Sequence, residues 1–545
     1  MNYQEFIEKN YKMLKKIEFS ALCLLIIFSI YCTVINGLSF DAVEDMQFGK
    51  ERLKYIFSLG SYEYYDYSNA KLYPAFYSSL SALVTKMFPI KYEMYIWNFN
   101  NLIFSFFTIV GISKITSKLF NKQVGKIVFF LCFINPIFFN HMYINAKDTI
   151  VAFSNVWITY LVIRYFETQQ FNEKRNRFAI LIGLVLGLGI GVRIAFFGTL
   201  FPLIILIILE ILFFKKIIHS EFSIKKFIID LIKVLIIAYF LMILFWVNAY
   251  ENIFIMPFKL FFESLNEGYG LPWILFNGNY YPTNGVPKTY LIINFLYKTP
   301  EFILFCYLIF LYLFLFKKNF FESKFKFLKA KVICIIFFLF FPNIIFIFMP
   351  YPVYDGLRLF LFLIPYFCII PALTIYYFTE NIKLFSSKIF LTTLVSMFLY
   401  YIFIFSLLTP YHYTYLNLFN GKFSGSSKKF ENDYWGTSVK ELISKIPNHP
   451  SLFSNKEVKI AFCGVNIGIA ERYFDQLENF KYKKMDFYNE DFDYIIMTNR
   501  THGNKQHDEN DTIESAINCF QRFTGPDIIA VKRNNLLLSV LRKKN

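Results

Sequence analysis

The chain has 545 residues, of which 56% are hydrophobic and 17% charged, and a mean hydropathy of +0.43, a balance that excludes a soluble globular protein with a polar surface. Its net charge of +17, from 56 Lys+Arg against 39 Asp+Glu, would suggest nucleic-acid binding in a soluble protein. Here the cations fall in short clusters between apolar runs, so they read as membrane topology and no nucleic-acid partner is expected.

A crossing of a hydrocarbon core about 30 Å thick needs roughly 20 apolar residues. Such runs predict eleven spans, over 17–38, 101–119, 127–144, 149–166, 178–192, 195–214, 229–249, 301–316, 332–349, 359–379 and 389–408. The apolar stretch from Phe178 to Phe214 is too long for one crossing, roughly 55 Å at about 1.5 Å per residue, so it folds into a hairpin turning near Arg193. The first span follows Lys9, Lys12, Lys15 and Lys16 and has no small-residue cleavage site behind it. It therefore predicts an uncleaved anchor with the N-terminus in the cytoplasm. Alternation from there puts the cation-rich connections inside, among them Lys114 to Lys126, Lys215 to Lys226 and Lys317 to Lys331. The same alternation leaves the C-terminus outside.

Two expected outer loops are long, residues 39–100 and 250–300. The second is dense in Gly, Pro, Asn and Tyr, which suits a structured loop on the membrane surface. From residue 410 the composition becomes that of a small α/β domain, so the chain divides into a membrane module, 1–409, and an outer domain, 410–545. In that domain VKIAFCG and FDYIIMT read as buried strands, SVKELISKI and IAERYFDQL as helices, and DIIAVKRNNLLLSVL as a hairpin turning at Arg-Asn-Asn. The stretch from Gly464 does not complete a dinucleotide fingerprint, and no nucleotide is assigned. Of the eight cysteines, six lie singly in apolar runs, where Cys behaves as a small hydrophobe. Cys463 and Cys519 fall in the polar region, which leaves a disulfide between them open, and no zinc spacing occurs.

Charge beside the apolar core is expensive, so each such residue is a functional candidate. Asp41 and Glu44, with Asp45, follow the first span. His141, Asn145, Lys147 and Asp148 lie between the third and fourth. Arg193 occupies the hairpin turn, and Asp355 and Arg358 lie between the ninth and tenth. The alternation puts all of them on the outer side. A carboxylate at a partly dry interface is a candidate general base, and arginines beside it can hold phosphate through the paired donors of the guanidinium. Bland readings compete at each position: Asp148 suits a helix N-terminus, Arg193 can snorkel to headgroups, and Asp355 and Arg358 at i, i+3 can simply pair. The Gly183, Gly187 and Gly191 series reads as close helix packing.

These motifs resemble the GT-C superfamily of polytopic glycosyltransferases, in particular the branch related to protein O-mannosyltransferases and lipid A aminoarabinose transferases. NHMYINAKDTIVAF is similar to a His-x-x-x-Asn-x-Lys-Asp segment of some bacterial members, and YDGLRLFLFLIP to a Tyr-Asp-Gly-x-Arg segment. TPYHYTYLNLFNG and NDYWGTSVKEL look like segments that follow the last span there. The resemblance implies a GT-C-like helical fold, a polyprenyl-phosphate sugar donor, an acceptor on the outer face and, in some members, a divalent metal ion. It makes Asp41 the match for the first-loop catalytic Asp. The usual pattern is Asp followed directly by Glu, whereas Asp41 is followed by Ala42, so Glu44 stays open as the alternative. Lys147, Arg193 and Arg358 are then candidates for phosphate, His141 for substrate binding, and Asp148 and Asp355 for orienting substrate or binding a cation. The metal is unassigned.

The expectation is therefore an inverting transferase in a bacterial inner membrane. A transporter or lipid flippase, the alternative, calls for midplane charges and internal repeats. Neither is visible in the sequence. A scaffold role would leave the clustered acids and arginines unexplained.

Overall fold

The computed structural model describes residues 3–63, 70–215, 221–266, 273–449, 457–477, 480–489, 491–502 and 516–544. The glycine-rich part of the second loop, 267–272, lies outside the described residues, as does Lys216.

Among the described residues eight helices are long and apolar enough to cross a membrane, and ten crossings result if two sharply bent helix pairs each count as one. The remaining expected span, 195–214, corresponds to the shorter apolar helix Phe201–Phe214, whose last turn widens into a π-helix over Glu210–Phe214. The bends have local causes. Lys122–Phe133 and Pro136–Ile144 meet at 68°, where Asn135 accepts from the Phe138 amide and Pro136 opens the second helix. The helix Tyr290–Lys298 meets Glu301–Phe316 at 112°, at Thr299–Pro300, where the residue before the proline is extended and Pro300 caps the next helix.

Helix Ile224–Leu244 shows how the sequence sets lipid and core faces. Ile228, Ile232, Ile236 and Phe240, four residues apart, are exposed, while Asp230, Val234, Ala238 and Met242 are buried. An exposed apolar row of this kind suits hydrocarbon rather than water. Its buried row packs on helix Asn172–Val192, where a Cβ at Gly187 would stand 2.8 Å from the Leu241 Cβ and one at Gly183 3.0 Å from the Ile237 Cβ. The glycine series is a close-packing seam, as expected. Asp230, inside this seam, is matched by Arg175 at 2.8 Å and Lys233 at 3.3 Å.

The hairpin expected near Arg193 is present: Arg193 terminates helix Asn172–Val192, and the chain returns through short helices Phe196–Thr199 and Phe201–Leu209. The loop between helices Ile224–Leu244 and Tyr290–Lys298 contains a hairpin of β1, Trp273–Phe276, and β2, Asn279–Pro282. The C-terminal region forms a five-stranded sheet from β3 (Val458–Cys463), β4 (Tyr482–Met485), β5 (Tyr494–Thr498), β8 (Asp527–Arg533) and β9 (Leu536–Lys543), in the order β4-β3-β5-β9-β8. A two-residue pair, β6 (Thr501–His502) and β7 (Ile517–Asn518), stands beside it. Strand β3 runs parallel to β4 and β5, as the crossover through helix Ile467–Phe474 requires, and β9 is antiparallel to both its neighbours. The β8–β9 turn falls on Asn534 and Asn535, both at positive φ, which Asn accepts at low cost.

Cys463 and Cys519 form a disulfide, and the other six cysteines are free. Thiol counting on denatured, unreduced protein should give six reactive groups, rising by two on reduction. A count of eight before reduction would refute the pairing.

Candidate functional site

Three segments distant in sequence converge on one guanidinium. Arg358 opens the helical stretch Arg358–Glu380, and the turn before it decides its direction: Asp355 and Gly356 both sit at positive φ. Asp tolerates that region; Gly356 is required there, since a Cβ would lie 2.8 Å from the Lys298 Nζ. The Arg358 side chain, only 5% exposed, then donates from Nε to Asp148 at 3.1 Å, from Nη1 to Asp355 at 2.9 Å and from Nη2 to Asp41 at 2.5 Å. Its plane stacks on Trp435, with Cζ 4.0 Å from the ring centre.

Asp148 begins helix Asp148–Glu167, and its placement is fixed by Asn145. The Asn145 Oδ1 accepts from the backbone N–H groups of Lys147 and Asp148, while its Nδ2 donates to the Asp148 carboxylate at 3.0 Å and lies 3.2 Å from the His141 Nδ1. An amide nitrogen only donates, so His141 accepts at Nδ1 and carries its proton on Nε2, 3.0 Å from the Tyr434 hydroxyl. His141 is fully buried with both ring nitrogens used, a neutral brace for Asn145 and Asp148. The second Asp148 oxygen accepts from Arg193 at 3.1 Å. Lys147 pairs with Asp45 at 2.9 Å and reaches to 3.9 Å from Asp41, with its ammonium over the Tyr73 ring.

The structure thus brings together Asp41, Lys147, Asp148, Arg193, Asp355 and Arg358, with Asp45 as a seventh member. Glu44 is exposed, one turn into helix Ala42–Phe57, and makes no ion pair among the described residues. The Asp148 and Asp355 side chains are 4% and 0% exposed, whereas Asp41 keeps 27%. Asp41 is therefore the carboxylate an incoming molecule can reach. Burial pushes its carboxyl up, but the charges of Arg358 and then Lys147 outweigh burial and hold it well below the usual carboxylate range. Burial, then the nearby Asp41 charge, pushes Glu44 the other way.

Every buried carboxylate here already opposes a lysine or arginine, and no group of three or more His, Cys, Asp or Glu among the described residues is placed to hold a metal ion. A cation would have to displace Arg358 or Lys147 from their partners. The donor set does not fit a divalent metal, and no step is routed through one.

The sequence reading missed the contribution of the C-terminal region. Arg500, 5% exposed, bonds the Tyr434 carbonyl, comes within 3.6 Å of Asp355 and lies over the Phe40 ring next to Asp41. Glu431 and Lys298 are buried nearby. Glu431 lies in irregular chain, Arg500 in the short connection after β5 and Lys298 at the end of helix Tyr290–Lys298, and only the NDYWGTSVKEL string hinted that the C-terminal region reaches the site.

No family model matches the chain, and no curated protein does. Among solved structures, ArnT from Cupriavidus metallidurans in the apo state aligns over 97% of this chain and 98% of its own, at 8% identity and a TM-score of 0.50. The chain has the ArnT fold. The GT-C-like helical architecture expected from the sequence, with a small sheet domain at its C-terminal end, is the one observed. Weaker likenesses are ArnT bound to undecaprenyl phosphate, 9% identical over 95% of this chain and 97% of that one with a TM-score of 0.49; and the apo oligosaccharyltransferase of Archaeoglobus fulgidus, 12% identical over 88% and 69% with a TM-score of 0.47.

Two outcomes follow from the geometry. Arg358→Met leaves three carboxylates facing one another without their shared cation, and should cost about 3–5 kcal/mol, read as a lower melting temperature in detergent. Adding Asp355→Asn should restore part of the loss. Burial pushes the Glu431 carboxyl up to about 7, against the charge of Arg500. Between its unfolded value of 4.5 and about 7 the native state holds a proton that the unfolded chain lacks, so stability is greatest below that window and falls as pH rises through it. Glu431→Gln should remove that slope and stabilise the protein at pH 8 by roughly 3 kcal/mol, measured as melting temperature against pH beside the wild type.

Proposed function

We propose that this protein is a membrane glycosyltransferase that moves a sugar from a polyprenyl-phosphate carrier to an acceptor on the outer face of a bacterial inner membrane, with its N-terminus in the cytoplasm. The observation that carries this reading is the cage of cations at one end of the bundle, in which Lys147 and Arg358 flank a partly exposed Asp41 and Arg193 holds the neighbouring Asp148. Three cations converging at the end of a helical bundle match a phosphate group, and a carboxylate among them matches a proton acceptor.

In this mechanism the donor phosphate draws Arg358 and Lys147 toward itself. Their charge is what holds Asp41 low, so phosphate binding strengthens Asp41 as a base at the moment the donor is in place. Asp41 takes the proton of the acceptor hydroxyl, the acceptor oxygen bonds the anomeric carbon, and the bond to the carrier phosphate breaks with its electron pair going to phosphate. Lys147, Arg193 and Arg358 stabilise that developing charge. A single displacement inverts the anomeric centre. Asp148 and Asp355 hold Arg358 in register, and His141 holds Asp148 through Asn145.

A second feature supports a lipid-linked donor. An apolar groove of about 150 Å³, lined by residues including Ile158, Val162, Leu186, Leu200, Ile204 and Val234, runs between the helices whose outer ends bear Asp148 and Arg193. The groove lies below the cage, its lining ending at Ile158 and Leu186 on those two helices, so a prenyl tail there would continue upward between them to bring its phosphate to the cage. The fold shared with ArnT, an aminoarabinose transferase, agrees with this reading.

The test is Asp41→Asn in a membrane assay that follows undecaprenyl phosphate release from lipid-linked sugars of the native host. Turnover should fall by roughly 10²–10⁴-fold while binding of undecaprenyl phosphate persists, and Glu44→Gln should stay within about tenfold. Near-normal turnover by a folded Asp41→Asn protein would remove Asp41 from the base role, and a full loss in Glu44→Gln alone would transfer that role.

A further inference from the structure

The phosphate-holding arginine is itself held from behind by a residue of the C-terminal region. Asp355 is completely buried and bridges two guanidinium groups: Oδ2 accepts from Arg358 at 2.9 Å, and Oδ1 faces the Arg500 Nη2 at 3.6 Å. Arg500 stacks on Phe40, adjacent to Asp41, with Cζ 4.8 Å from the ring centre, and donates from Nη1 to the carbonyl of Tyr434, whose hydroxyl meets His141. One side chain thus touches the first outer segment, the turn before Arg358 and the segment bracing Asp148. Its backbone is pinned in turn. The Cys519 amide donates to the Arg500 carbonyl at 3.0 Å beside the Cys463–Cys519 disulfide, and the Asn499 side chain donates to the Phe430 carbonyl and accepts from the Asn432 amide at 2.9 Å each.

We infer that Arg500 is a positioning residue for the phosphate site, acting through Asp355 to fix the Arg358 fork, so that the C-terminal region completes the site. The inference rests on the reading of the cage as a phosphate site. Without Arg500, Asp355 loses the guanidinium opposite its Oδ1, keeps Arg358 and the more distant charge of Lys298, and turns toward Arg358 with both oxygens, drawing that guanidinium off the geometry set by Asp41 and Asp148. Arg358 then meets phosphate less well.

The experiment is binding of undecaprenyl phosphate to the full-length protein in detergent, arranged as a double-mutant cycle. Arg500→Met should weaken binding about tenfold; in an Asp355→Asn background the same substitution should change it less than about threefold, because the group it acts through is gone. Arg500→Lys should recover part of the affinity. The control is Arg533→Met, which removes the ties of the same region to Glu441 at 2.5 Å and to the Thr409 carbonyl at 2.7 Å, far from the cage. It should lower the melting temperature and leave affinity unchanged. Unchanged affinity in a folded Arg500→Met protein, an equal loss in both backgrounds, or an equal loss in Arg533→Met would each overturn the role of Arg500. Wild type that fails to bind undecaprenyl phosphate would instead overturn the phosphate-site reading and this inference with it.

Discussion

A guanidinium out of contact with water must be neutralised on several sides, and Arg358 is the group for which this structure makes that provision. Its partners Asp148 and Asp41 lie 210 and 317 residues away in the chain, so the requirement ties the segment after the first long helix, the start of helix Asp148–Glu167 and the turn after helix Leu328–Phe348 to one point. A single cation cannot balance three carboxylates, and the remainder falls to Arg193 on Asp148 and to Arg500 on Asp355, while Lys147 answers Asp45 and Asp41. The result is a nearly balanced lattice of charge in which each member is oriented by at least one partner other than Arg358. Such an arrangement is costly to bury and weak as a source of stability. What it supplies is orientation: each charged group is held in a defined direction by its partners.

The helical bundle serves that lattice by holding its corners apart. The glycine seam between helices Asn172–Val192 and Ile224–Leu244 fixes where Arg193 emerges, and the capping by Asn145 fixes where Asp148 begins. The C-terminal region grips the segment leading to Asp41: the Leu38 amide donates to the Tyr473 hydroxyl at 2.7 Å, Asn466 donates to the Phe40 carbonyl at 2.9 Å, and Lys440 donates to the Val34 carbonyl at 2.8 Å. The last long apolar helix ends at Leu407 and the five-stranded sheet begins at Val458, yet the charge lattice takes residues from both regions.

Much of the fold was legible because a bilayer imposes simple rules. Long apolar runs had to be helices, and the excess length from Phe178 to Phe214 had to be a hairpin at Arg193. The Asn534–Asn535 turn and the buried strands β3 and β5 followed from turn chemistry and apolar runs. The bends at Asn135 and Pro300 were less legible, since a Pro within an apolar stretch is compatible with a kinked crossing as well as with a sharp change of direction. In the site, Asp41, Lys147, Asp148, Arg193, Asp355 and Arg358 stood out because charge is rare beside hydrocarbon. Arg500 and Glu431 did not, because charge is ordinary in a polar sheet domain.

The sequence by itself determined that this chain lies in a membrane, that its unusual charges gather at the same end of the spans, and which residue types were available there. Hydropathy and the cost of buried charge act locally, so one-dimensional order carries them. Tertiary structure alone decided which acid met which cation: that Arg358 rather than Arg193 holds Asp41, that His141 faces inward as a brace, that Glu44 stays outside the lattice, and that Arg500, from the connection between β5 and β6, closes it. Ion pairing depends on distances of about 3 Å between segments hundreds of residues apart. Only the packing of the whole chain sets such distances.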